Sequence, residues 1–186
     1  MAATETIRIP LGFTAPDFSL PDTVSGKNLS LQDLKGEKAT VVMFICNHCP
    51  YVKHVNSQLV ALGNEYIPKG ISFIAISSND VVNYPEDSPD KMTQTAKELG
   101  YPFPYLYDES QETAKSYHAA CTPDFSIFDA NLKCVYRGQL DDSRPKSGSV
   151  PDGKDIRSAL DNILAGKEVN PNQIPSLGCN IKWKAN

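Results

Sequence analysis

The chain lacks the marks of several whole classes of protein. Its 186 residues hold no cluster of Lys and Arg, and the net charge is −4. It therefore carries no electrostatic footprint for nucleic acid. No apolar run approaches the roughly 20 residues of a membrane span. The start, Met1 to Pro10, has no charged stretch followed by an apolar one, so no signal peptide is expected, and the cytoplasm is the expected compartment. There is no internal repeat and no low-complexity tract. Cysteine is scarce and odd in number: Cys46, Cys49, Cys121, Cys134 and Cys179. An odd set does not fit a fully paired secreted framework, and stable disulfides are rare in the cytosol. Packing, metal ligation and redox chemistry remain, and spacing has to decide among them.

What is present is an ordinary globular composition, 40% hydrophobic and 22% charged, long enough to bury a core without staples. Hydrophobic periodicity places the elements. Residues 15–22 alternate between proline breaks and read as part of a β-hairpin region. Residues 29–36 read as a short helical turn ended by Gly36. Thr40 to Ile45 is a continuous apolar run, the pattern of a strand buried on both faces. Val52, Val55, Leu59, Leu62 and Tyr66 then recur at three- and four-residue steps, a helical stripe closed by Gly70. Ile71 to Ser77 is a second buried strand, so the span forms a βαβ unit. Beyond it the pattern predicts a helix over 90–99, a short extended piece at 105–108 and a helix over 111–117. Two strands follow at 125–128 and 134–137, then a last helix over 154–164. The tail, with Pro171, Pro175, Gly178, Cys179 and Trp183, is expected to be irregular. The whole is an α/β domain with a mixed central sheet flanked by helices, assigned to 1–170, with residues 171–186 as the tail.

Cys46-Asn47-His48-Cys49 lies where a buried strand ends and a helix begins. Free backbone N–H groups and the helix dipole favour negative charge there. The thiolate is the reactive form of cysteine, and a helix N-terminus lowers its pKa. His48 can add positive charge beside it, which makes the disulfide easier to reduce. The helix start is open at this stage. A start at Cys46 makes that residue the N-cap and the more exposed thiol, whereas Pro50 at the first helical position makes Cys49 the N-cap. A zinc site needs four ligands, and no second CxxC exists; His48, His54 and His118 show no ligand-like spacing. A redox pair is therefore favoured over a metal or packing role.

In order and spacing the chain resembles the thioredoxin-like superfamily, and within it the AhpC/TSA (redoxin) family. Ala15-Pro16-Asp17-Phe18-Ser19-Leu20 is similar to the family's opening hairpin, and Val41 to Cys49 to its central strand and redox turn. Cys121-Thr122-Pro123-Asp124-Phe125 is similar to its Thr-Pro turn, and Tyr136-Arg137-Gly138 to the strand that follows. The resemblance implies a thioredoxin-like fold, a cis Thr122–Pro123 bond facing the redox turn, and backbone groups there that receive a substrate strand. It also shows departures. Ile45 stands where thioredoxins carry Trp, and Thr40 near their buried acid. On the peroxiredoxin Pro-x-x-x-Thr-x-x-Cys loop, aligned at Cys49, Val42 takes the Pro position and Cys46 the Thr position.

These readings converge on a thiol–disulfide oxidoreductase. Cys46 attacks a disulfide-bearing protein or small molecule, Cys49 resolves the mixed disulfide, His48 tunes the thiolate, and Thr122 and Pro123 present the substrate. A thiol serves as electron donor. The alternative is a peroxiredoxin-like peroxidase in which Cys49 attacks a hydroperoxide. A third reading is a non-enzymatic metal- or partner-binding module on the same thiols. No organic cofactor is implied, because two thiols carry both electrons. Cys121, beside the Thr-Pro turn, and Cys179, in the tail, are candidates for additional redox thiols. Cys134 reads as core. The charged cluster Arg137, Asp141, Asp142 and Arg144 either lines a substrate face or ties a loop.

Overall fold

The computed structural model describes residues 3–185. In chain order its elements are β1 (Ala3–Glu5), β2 (Ser19–Pro21), β3 (Asn28–Ser30), α1 (Leu31–Leu34), β4 (Ala39–Phe44), α2 (Pro50–Tyr66), β5 (Ile71–Ser77) and α3 (Pro89–Leu99). They continue with β6 (Tyr105–Tyr107), α4 (Glu112–Ser116), β7 (Cys121–Thr122), β8 (Asp124–Asp129), β9 (Cys134–Gly138), α5 (Lys154–Leu164) and β10 (Leu177–Asn180). A five-stranded sheet runs in the order β6-β5-β4-β8-β9. β4 pairs parallel with β5 and antiparallel with β8, so the sheet is mixed, as the pattern predicts. β2 and β3 form the expected hairpin.

β4 sits at the centre, and every one of its residues is buried. Its alternate side chains point to opposite faces. Ala39, Val41 and Met43 join a core built with α2 and α5 through Leu59, Leu62, Ile156 and Leu160. Val42 and Phe44 join a second core with Phe18, Leu31, Ala114 and Tyr117, beneath the hairpin and α4. Two covered faces explain why this stretch reads as an unbroken apolar run.

α2 follows the predicted stripe: Val52, Val55, Leu59, Leu62 and Tyr66 are all buried. Fully burying such a side chain is worth about 1.5–3 kcal/mol against exposure, so the stripe fixes the helix on the sheet and, with it, the position of its first turn. A 3₁₀ turn over Ile67–Lys69 continues the helix, and Gly70 ends it at φ 88°, a left-handed conformation that costs glycine nothing.

The tail departs from expectation. Leu177–Asn180 are not irregular but form β10, which pairs antiparallel with β1 on one side and β7 on the other. Neither β1 nor β10 shows a strand pattern of useful length, and their partners lie far away in sequence, so no local signal marks them. The close approach depends on Gly178. A Cβ there would stand 2.0 Å from the Thr122 carbonyl oxygen and 2.5 Å from its carbonyl carbon, so any side chain would push the strands apart. Among the described residues no helix is long and apolar enough to cross a membrane.

Candidate active site

The site is assembled at the C-terminal end of β4. Pro50 occupies the first position of α2 and Cys49 is its N-cap, with φ −67° and ψ 124°. The open question of the helix start is thereby answered: proline's fixed φ and missing N–H suit the first helical turn. Cys46 lies two residues beyond the end of β4. Neither thiol is in a disulfide and both are buried, Cys46 at 2% exposure and Cys49 at 0%.

Thr122 faces both sulfurs. Its Oγ1 lies 3.4 Å from Cys46 Sγ, and its carbonyl oxygen lies 3.2 Å from Cys49 Sγ. The Thr122–Pro123 bond is cis. The expected open edge for a substrate strand is absent, however. β10 already pairs with β7, with Cys179 opposite Thr122 and Asn180 opposite Cys121. The chain's own tail fills that edge, for the same non-local reason that hid β10 in the sequence.

Register then brings a third sulfur into the site. Cys179 Sγ lies 2.7 Å from Cys49 Sγ. Cys121 does not join it. Thr122 and Cys121 are consecutive on a strand and point to opposite faces, and the Cys121 thiol turns to Thr6 Oγ1 at 3.8 Å and to the Pro123 carbonyl at 3.6 Å. Cys134 is core, its thiol bonded to the Tyr136 carbonyl at 3.4 Å.

The protons are unequally shared. The neighbouring Cys46 thiol is the largest influence on Cys49; together with Cys179, Thr122 and the nearby Val52 N–H it outweighs burial and lowers the Cys49 pKa to about 5. The Val52 N–H is a first-turn donor of α2, where a helix stabilises negative charge. The neighbouring Cys49, then burial, then the nearby Asp87 carboxylate push the Cys46 thiol well up. Burial and the bond to Cys49 raise Cys179 to about 12. The charge thus rests on Cys49, and its two thiol neighbours hold protons.

Asp87 is the residue that sequence reasoning missed. It is fully buried and accepts from the backbone N–H groups of Asn47 at 2.8 Å and His48 at 3.2 Å, from His48 Nδ1 at 2.6 Å and from Asn79 Nδ2 at 2.8 Å. Burial works to raise its pKa, but these donors prevail and hold it low. The bond to Asp87 raises the His48 pKa against desolvation. His48 also stacks on Tyr84 at 5.6 Å, while its Nε2 is buried without a partner among the described residues. Tyr105 Oη donates to Asn47 Oδ1 at 3.0 Å and pins the Cys46–Cys49 loop from β6. Asp87 is thus a buried carboxylate beside the Cys46–Cys49 loop, contributed by a different element from β4, where Thr40 stands. It comes from a 3₁₀ turn over Pro85–Asp87, inside a Pro-rich loop whose residues give no local sign of pointing inward.

Cys46, His48 and Asp87 also offer three ligand atoms within 4.8 Å of one another, one short of a closed zinc shell. The cluster Arg137, Asp141, Asp142 and Arg144 ties loops. Arg137 is buried, bonding Ser126 Oγ at 2.8 Å and the carbonyls of Ile7 at 2.9 Å and His118 at 2.8 Å. Asp141 accepts from the N–H groups of Ser143, Asp152 and Gly153.

Residues 11–137 match the AhpC/TSA family. No curated protein matches the chain. Among solved structures, an uncharacterized conserved protein from Geobacillus kaustophilus is 60% identical, with a TM-score of 0.98 over 100% of this chain and 98% of that one. A hypothetical protein from Sinorhizobium meliloti is 44% identical, with a TM-score of 0.96 over 98% of this chain and 100% of that one. The thioredoxin domain of a thiol-disulfide oxidoreductase from Bacteroides vulgatus is 20% identical, with a TM-score of 0.59 over 70% of this chain and 89% of that one, which shows the fold to be thioredoxin-like.

Proposed function

Because this chain belongs to the AhpC/TSA family, we propose that it is a thiol–disulfide oxidoreductase whose Cys46 and Cys49 cycle between dithiol and disulfide. The observation that carries the reading is the placement of the two sulfurs: Cys49 is the N-cap of α2, Thr122 lies against both Cys46 and Cys49, and this setting lowers the Cys49 pKa to about 5. The thiolate is the attacking form. This charge distribution reverses the expected order of attack. Cys49 attacks a substrate disulfide and expels one thiolate. The Cys46 thiol then attacks the mixed disulfide at Cys49, loses its proton to the departing substrate sulfur and closes Cys46–Cys49. An external thiol donor returns the pair to the reduced state. Asp87 and His48 hold the loop and balance its charge, and Thr122 orients both sulfurs.

A hydroperoxidase is the second reading, favoured by one observation: Cys49 is completely buried, which suits a molecule as small as a hydroperoxide. Cys49 would displace alcohol or water from the peroxide, become a sulfenic acid, and condense with the Cys46 thiol to a disulfide and water. No Thr hydroxyl stands at the peroxiredoxin position, because Cys46 occupies it. A metal-binding module is the remaining alternative, and stoichiometric zinc in the purified protein would support it.

One experiment separates the first two. The fully reduced protein is mixed with hydrogen peroxide and, in parallel, with a small disulfide, and free thiols are trapped over time. Disulfide exchange is supported if the small disulfide oxidises Cys46 and Cys49 while peroxide reacts no faster than with free cysteine. A peroxide rate orders of magnitude above free cysteine would replace it with the peroxidase.

A further inference from the structure

Three sulfurs meet in this site. Thr122 lies against the sulfurs of both Cys46 and Cys49, and the sulfur of Cys179 lies 2.7 Å from that of Cys49. The thiols of the other two buried cysteines hydrogen-bond to oxygen atoms rather than to sulfur, so burial alone does not account for where Cys179 points. Its position is built from the backbone. β10 is held on both edges, by β1 and by β7, in a register that sets Cys179 opposite Thr122. Gly178 next to it allows an approach that no other residue would allow. Lys182 further fixes the segment, its backbone N–H donating to Asn79 Oδ1 at 2.8 Å and its ammonium to the Asn180 carbonyl at 2.6 Å. A covalent S–S bond is about 2.05 Å long, so joining Cys49 to Cys179 requires the sulfurs to move by well under an ångström.

We propose that Cys179 is a third redox thiol, which takes over the disulfide from the Cys46–Cys49 pair and holds it as Cys49–Cys179. The inference rests on the exchange reading above. In the step, Cys179 sulfur attacks Cys49 sulfur of the Cys46–Cys49 disulfide. The Cys49–Cys179 bond forms, the Cys46–Cys49 bond breaks, and the proton of Cys179 passes to the departing Cys46 sulfur. The three thiols together are neither oxidised nor reduced, so no further reactant is needed. The outcome is a free Cys46 beside Thr122 and a tail stapled to the first turn of α2. The tail strand thereby does inside the chain what a separate thiol substrate would do from outside.

The test is a disulfide map of the full-length protein after brief oxidation with hydroxyethyl disulfide, alkylation of free thiols and digestion with trypsin. Cys46 and Cys49 fall in one tryptic peptide, 39–53, and Cys179 in another, 168–182. The expected result is that wild-type protein gives, besides the link within 39–53, a second species joining 39–53 to 168–182. Cys46→Ser should give the joined species alone, and Cys179→Ser should lose it. A wild-type map with only the internal link and fully alkylated Cys179 overturns the relay while leaving disulfide exchange intact. If neither link forms, the exchange reading falls and the relay with it. Because the wild-type map decides the question, it does not depend on the variants folding.

Discussion

Replacing Gly178 with alanine tests whether the tail strand holds the site shut. The added Cβ would stand 2.0 Å from the Thr122 carbonyl oxygen, 2.5 Å from its carbonyl carbon and 3.1 Å from the Pro123 nitrogen. All three are backbone atoms, so no side chain can rotate out of the way. β10 must therefore withdraw from β7. Forcing extra atoms into a filled interior costs typically about 1–3 kcal/mol. For a chain of this size each kcal/mol corresponds to roughly 2–4 °C in Tm, so Gly178→Ala should lower Tm by about 2–12 °C. Withdrawal also breaks the contact between Cys179 and Cys49, now at 2.7 Å, and uncovers a thiol that is 4% exposed. Alkylation of Cys179 in the reduced variant, followed by mass spectrometry, should therefore run much faster than in wild type. The reasoning is refuted if the variant melts like wild type and Cys179 stays protected, because the strands would then have room that the geometry denies.

Three further outcomes follow from the same geometry. With its folded pKa at about 5, below its ordinary value of 9.0, Cys49 should stay a thiolate at neutral pH; its ultraviolet thiolate absorbance should vanish only as pH falls through about 5. The sign for stability is that of any group with a lowered folded pKa: the contribution is complete above the unfolded value and is lost as pH falls toward the folded one. An inflection near 9 would contradict it. Asp87→Asn should lower the His48 pKa, read by NMR titration, and make the Cys46 thiol more acidic, because the carboxylate raises both; an unmoved His48 titration would sink the assigned pairing. Leu59→Ala should cost about 2–5 kcal/mol in a Tm or denaturant series, since Leu59 is fully buried in the α2 stripe.

The fold was legible where structure is local. The α2 stripe, the apolar runs of β4 and β5 and the Gly70 stop all encode their own elements, because burial on one or both faces imposes a period that neighbouring residues reveal. The position of Cys46 and Cys49 was legible for the same reason: they lie between a strand end and a helix start that adjoin in the chain. What escaped depends on contacts across long sequence distances. Asp87 meets His48 from a separate loop, and β10 crosses the chain to reach β1 and β7. Leu177-Gly178-Cys179-Asn180 is too short to alternate, and its glycine reads as a breaker until the Thr122 backbone is seen beside it. Cys179 could be named as a candidate thiol, but only register could show which sulfur it meets.

The filled edge at Thr122 constrains what can reach the site. An extended protein segment would have to add to β7 where β10 now lies, displacing hydrogen bonds on both edges of β10 and the buried side chains of Cys179 and Ile181. A small disulfide or a hydroperoxide requires far less displacement, because its approach does not demand a strand's width of free edge. On the proposed function, the closed tail therefore favours small substrates over protein ones. A Cys49–Cys179 bond would carry that bias further, because the covalent link fixes β10 against α2 while leaving Cys46 as a thiol. If the tail opens instead, as Gly178→Ala is designed to force, the same edge becomes free for a protein partner. Substrate size and tail position are then a single variable. Comparing rates with a small disulfide and with a disulfide-bonded protein, in wild type and in Gly178→Ala, should show the ratio shifting toward the protein substrate in the variant. An unchanged ratio would mean that β10 does not govern access.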